Sequence, residues 1–159
     1  MVWISLAILV SFLSWHIYMD GVPDSISSMV YELKHKWVWS VWLCAVSLTL
    51  MPVLIDTLPD YVRFVGFLTI CCLLGCCITP LIRKELQGVH NMLAIMAGLL
   101  SQICVILICP WWMLAWTGMI AICGYVLLCA GEEECAIDGR GLLLAEGFCA
   151  LTTYGCLII

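Results

Sequence analysis

The chain has 159 residues, 65% of them hydrophobic and only 11% charged, with a formal net charge of −5. An ordinary globular protein carries roughly 45–50% apolar and about 25% charged residues; six Lys and Arg with eleven Asp and Glu cannot coat a soluble fold of this length. A soluble domain, a disordered tail and a basic nucleic-acid binder are excluded, which leaves an integral membrane protein whose first partner is the lipid bilayer.

A membrane span needs about 20 mostly apolar residues, because a helix rises 1.5 Å per residue and the hydrocarbon core is ~30 Å thick. Six such runs follow one another, at 2–19, 37–55, 64–82, 91–109, 113–130 and 141–159. They are continuous rather than alternating, which predicts helices and not a β-barrel. The expected fold is all-α: one polytopic membrane bundle over residues 1–159 with six transmembrane helices. The first run lacks a basic start and a small-x-small site before Asp20, so it reads as a retained helix rather than a signal peptide.

After it, Asp20-Gly21-Val22-Pro23-Asp24 breaks the helix. Ile26, Met29 or Val30, Leu33 and Trp37 then recur at helical spacing, with Asp24, Glu32 and Lys36 between them. This pattern predicts a short amphipathic helix lying in the interface, capped by Asp24 or Ser25. Asp56 to Asp60 closes the second run and Arg83-Lys84-Glu85 the third. Pro110-Trp111-Trp112 divides the fourth from the fifth, and Glu146 interrupts the sixth. A five-span chain with a re-entrant or surface-lying tail is the alternative.

Lys and Arg set the orientation, since cytoplasmic loops hold the excess. Lys34, Lys36, Arg83, Lys84 and Arg140 fall on one side, and Arg63 on the other. That predicts a multi-pass protein of the cell (inner) membrane with both termini on the non-cytoplasmic side. Trp15, Tyr18, Trp37 and Trp39 mark the inner boundary, and Trp3, Tyr61, Trp111 and Trp112 the outer one; Trp42 and Trp116 lie deeper, where packing between helices is expected.

Twelve cysteines would suggest disulfides in a secreted chain, but nearly all of these lie within spans. Cys72 and Cys76 share one helix face and are the pair that a soft metal such as Cu(I) would choose. The same stretch reads more simply as helix packing. Cys71 and Gly75, like Ala94 and Gly98 on the fourth span, form small-xxx-small steps that let helices approach.

Ionisable residues inside spans point more directly to function, because an acid at a helix centre costs about 2.5–3.5 kcal/mol to insert. Glu146 lies roughly 8 Å along its helix from the inner boundary, deep enough to need company. His16, His90 and His35 share its side of the membrane. Three imidazoles and a carboxylate suffice for a zinc site with an open position, and they also suffice for a proton relay. The plainer arrangement pairs Glu146 with Arg83, Lys84 or Arg140 and leaves the histidines apart. Ser101 and Gln102, mid-span, are expected to bond across helices.

HExxH, GxSxG, P-loop and GxGxxG motifs are all missing, and no residue pattern requires a cofactor. Ceramidase-like membrane hydrolases also use three histidines, but their close pair late in the chain has no counterpart after His90. The stretch Gly21-Val22-Pro23-Asp24-Ser25-Ile26-Ser27-Ser28, with Leu33-Lys34-His35-Lys36-Trp37 and Leu50-Met51-Pro52, resembles small polytopic membrane proteins of gut anaerobes and their phages. That resemblance implies the fold and transfers no activity. The leading functional expectation is a non-enzymatic membrane protein that moves ions or protons through a cytoplasm-facing polar site. A structural or accessory subunit, acting through helix contacts in a homo-oligomer or with a membrane partner, is the second. A lipid-directed metalloenzyme is the third.

Overall fold

The structure, a computed structural model, describes residues 1–82, 86–130 and 141–159. Every regular element among them is helical. In chain order they are α1 (Val2–Asp20), α2 (Met29–Glu32), α3 (Lys36–Thr57), α4 (Arg63–Ile82), α5 (Gln87–Ile108), α6 (Met113–Ala130) and α7 (Gly141–Ile158). Single 3-10 turns at Asp60–Val62 and Pro110–Trp112 lead into α4 and α6. Five segments are long and apolar enough to cross a membrane: α1, α3, α4 with its preceding turn, α5 and α7. α6 is an 18-residue helix whose place as a sixth span remains an inference from sequence.

The apolar runs locate the helices because length and continuity are what the bilayer demands. Their ends moved where polar residues join a helix. α5 begins at Gln87, four residues before its apolar run, so His90 lies a turn inside the helix instead of at its start. α3 and α4 each contain a proline, Pro52 and Pro80. Without an N–H, Pro80 leaves the Cys76 carbonyl with no helical partner, and the Thr79 hydroxyl covers that oxygen at 3.3 Å.

The expected interfacial amphipathic helix has a different form. Only one turn, Met29–Glu32, is α-helical, and Met29 and Val30 are wholly buried. Its apolar side packs into the bundle and not into lipid, because the turn docks on α3 and on His90 of α5, whose ring stands edge-on to Tyr31 at 5.8 Å. Burial, and secondarily the Cys76 thiol, pushes the Tyr31 phenol up from its ordinary value, and Lys36 Nζ lies 5.3 Å from its ring centre.

The long helices neighbour one another in a ring, α1 to α3, α3 to α4, α4 to α5 and α5 to α7, with α7 also touching α1 and α3. Small residues set the closest approaches. A Cβ at Gly75 would meet Leu93 Cδ1 of α5 at 2.9 Å, and one at Gly66 would meet Leu58 at 2.7 Å. Gly98 faces Cys149 of α7 at 3.8 Å, and Gly155 lies against the Trp112 ring. Cys72 and Cys76 are buried on α4 while Cys71 is exposed. Thus Gly75 packs at a helix crossing, whereas Cys71, its partner in the small-xxx-small step, faces outward.

Candidate functional site

Glu146 enters from the first turns of α7 and meets the linker ahead of α2. Its Oε2 accepts the backbone N–H groups of Ile26 (2.5 Å) and Ser27 (3.2 Å), and its Oε1 accepts the Ser27 hydroxyl at 2.5 Å. Ser25 and Ser28 lock the same turn. The Ser25 hydroxyl accepts the Ser28 N–H at 2.8 Å, and the Ser28 hydroxyl oxygen accepts the Ser25 N–H at 3.1 Å. This is a reciprocal cap with serine where glutamate or glutamine is usual. A carboxylate from a distant helix therefore fills the donors that the turn cannot fill itself, where the backbone dipoles favour negative charge.

His90 holds the other side of Ser27. Its Nε2 lies 3.2 Å from the Ser27 carbonyl oxygen, which can only accept, so Nε2 carries the proton. Nδ1 lies 3.0 Å from the Thr79 hydroxyl and, in the neutral ring, accepts its hydrogen. That hydroxyl has two acceptors within reach, His90 Nδ1 and the Cys76 carbonyl, and one hydrogen to give. A protonated His90 would donate from Nδ1 and turn the Thr79 hydrogen toward Cys76. Both ring states are thus accommodated by one hydroxyl rotation.

Of the residues singled out from sequence, Glu146 and His90 meet on the same serine. His16 is buried on α1, with Nδ1 3.3 Å from Asp20 Oδ2 one turn later. His35 is exposed at the N-cap of α3, in a shallow cleft with Trp15, Asp20 and Lys34. Arg83, Lys84, Arg140 and the acidic stretch 132–134 lie outside the described residues. Among the described residues no three His, Cys, Asp or Glu side chains gather as ligands for one metal ion. Cys76 Sγ instead lies 3.7 Å from the His90 carbonyl oxygen. Sequence reasoning missed Ser27, whose only signal was its place inside a serine-rich turn.

Above the clasp, a cleft of about 580 Å³ lies among the helices, its lining running from buried Leu50 and Leu54 to the exposed Ile95, Leu99 and Leu142. One face of α3 lines it through Trp39, Trp42, Leu43, Val46, Leu50 and Leu54. One face of α7 lines it through Ala145, Glu146, Cys149, Ala150, Thr153 and Tyr154. The α3 face spans roughly 22 Å at 1.5 Å per residue, most of the ~30 Å hydrocarbon thickness. Ser27, Asn91 and Glu146 supply polar groups at the end near Lys34, and Ser101, Gln102 and Thr153 do so toward the other end. Between them the wall is apolar. Trp39, placed at the membrane boundary by its sequence position, is 1% exposed, and its Nε1–H has no hydrogen-bond partner among the described residues.

Gln102 joins three helices at the far end. Its Oε1 accepts from Trp116 Nε1 at 2.8 Å and from the Thr152 hydroxyl at 2.9 Å. Its Nε2 donates to Ser101 Oγ and to the Cys149 carbonyl, both at 3.2 Å. That is the full capacity of an amide side chain. On the opposite wall Ser5 Oγ donates to the Val46 carbonyl at 3.1 Å, so Tyr154 O–H donates to Ser5 at 2.6 Å, joining α1, α3 and α7. Trp42 donates to the Ile8 carbonyl at 3.0 Å and stacks on Phe12. No protein-family model matches the chain, and no curated protein or solved structure is significantly similar to it.

Proposed function

We propose that the chain is a six-span protein of the cell membrane that holds the hydrocarbon chain of a membrane amphiphile in its central cavity. The cavity itself carries this reading. Its volume lies within the ~300–1,000 Å³ of ligand pockets, it is long and apolar in the middle, and it is polar at its ends. Ion or proton movement would need polar groups along the whole length, and the apolar stretch between Glu146 and Gln102 counts against that. A metal-centred enzyme would need His16, His35 and His90 together, and they stand apart.

The test is a long-chain alkyl diazirine photolysed with the protein in phosphatidylcholine nanodiscs, followed by peptide mapping. Label concentrated on cavity-lining residues of α3, α5 and α7, and lost in Ala150→Phe and Ala94→Phe, is the expected result. Label spread over outward residues such as Phe64, Phe67 and Leu151, with no effect of either substitution, would leave the accessory-subunit reading in front.

In this reading α6 is the sixth span, and the Lys34 end of the bundle faces the cytoplasm. Tags at the two ends are expected to react with an impermeant reagent from the non-cytoplasmic side only. Labelling of the ends from opposite sides would reduce the spans to five.

A further inference from the structure

We infer that the cleft takes one acyl chain of a bilayer phospholipid, which enters sideways between α5 and α7 at the Glu146 end and leaves its head outside. This rests on the amphiphile reading above and adds the ligand's class and its route. The lining of the cleft divides by exposure. On the α3 and α4 side it is closed, with Leu54 and Thr69 each 1% exposed and Cys76 2%. On the α5 and α7 side Ile95, Leu99 and Leu142 line the same cleft and are 58, 59 and 54% exposed. Residues that both line a cleft and stand on the outer surface mark its mouth. Asn91, Ile95 and Leu99 form one stripe of α5, and Leu142, Ala145 and Glu146 one stripe of α7. They are the two lips of a slot about 12 Å long on α5, eight residues at 1.5 Å each.

Hydrogen bonding explains why the slot opens at this end. Farther along, Gln102 Nε2 donates to the Cys149 carbonyl at 3.2 Å and the Thr152 hydroxyl donates to Gln102 Oε1 at 2.9 Å, so α5 and α7 are joined there. Trp116 of α6 bonds the same amide and stands edge-on to Phe148 at 4.9 Å. At the Glu146 end the carboxylate ties α7 to Ile26 and Ser27 of the linker instead of to α5. Ile95 and Leu99 lie roughly two to three turns into α5, at the depth of lipid tails. An exposed apolar lip at that depth meets hydrocarbon, so what passes it is a tail and not a solute from water. Asn91 and Glu146 line the end of the slot nearest the helix starts, where head groups lie. A charged head is costly to bury, and a slot that runs to the interface lets it stay in water.

The experiment uses the full chain in nanodiscs containing phosphatidylcholine with a diazirine on one acyl chain, placed either near the carboxyl end or near the methyl end. The proximal diazirine is expected to label Ile95 and Leu142, and the distal one Val46 and Leu50 of the buried wall. In Ile95→Trp and Leu142→Trp the distal label on Val46 and Leu50 should fall about fivefold, the effect of crowding a packed passage. Phe64→Trp, on an outward face, should leave it unchanged.

Proximal label on Ser101, Gln102 and Thr153 would place the entrance at the other end and overturn the inference, as would lip variants with undiminished wall label. If a free long-chain alkyl diazirine labels the wall and the phospholipid probes do not, the phospholipid inference fails and the amphiphile reading stands. If neither kind of probe reaches the wall, both fail. Should a lip variant misfold, the proximal and distal probes on the unaltered protein still decide.

Discussion

Glu146→Ala is expected to lower stability by about 2–4 kcal/mol, read as a fall in thermal midpoint in detergent. A hydrogen bond to a charged group contributes roughly 1.5–3 kcal/mol, and this carboxylate accepts three, from Ile26 N–H, Ser27 N–H and Ser27 O–H. The site is part-buried, so water recovers some of the loss and keeps the total below the sum. Glu146→Gln retains one acceptor oxygen and is expected to fall between the two. Because the linker ahead of α2 loses its anchor, protease cleavage within residues 20–28 should rise in parallel with the thermal shift. An unchanged midpoint with unchanged cleavage would mean that the clasp contributes nothing.

Gln102→Leu is the second large effect, about 2 kcal/mol, with the same readout. Leucine matches the size of glutamine and suits the apolar surroundings, so the loss comes from what is orphaned. Interhelical hydrogen bonds in membranes average only about 0.6 kcal/mol each, but Trp116 Nε1–H and Thr152 O–H lose their shared acceptor together. Thr152 keeps backbone carbonyls as alternative acceptors at 2.9 and 3.1 Å, whereas Trp116 is left without one. Trp116→Phe in the Gln102→Leu background should therefore recover part of the loss. If the double variant is no more stable than the single, the indole bond is not what Gln102 supports.

The helices were legible because a bilayer imposes a minimum apolar length, and hydropathy reads length directly. The membrane-facing sense of α2 was not, since helical spacing of Ile26, Met29 and Leu33 is the same whether that stripe meets lipid or protein. Glu146 was legible as an acid needing company, but its partner was not. Its charge points to arginine or lysine, whereas the bundle supplies backbone N–H groups, which every residue but proline carries. His90 and Trp39 were placed at the rim because sequence gives depth along a span and nothing about rotation around it. That same missing coordinate hid the cleft, which forms where faces of α3, α4, α5 and α7 turn toward one another.

The contacts of α7 also bear on how the molecule is made. Glu146 reaches back to residues 26 and 27, and Tyr154 to Ser5, so α7 holds two segments synthesised well before it. Chains emerge from the amino end at about 5–20 residues per second, so α1 and the turn after it wait several seconds before these bonds can form. Until then the Ile26 and Ser27 amides have only water, at the rim where water reaches them, and the cleft lacks its α7 wall. These contacts thus wait for α7, and a chain cut before α7 would leave the turn at residues 25–28 without the carboxylate that holds it.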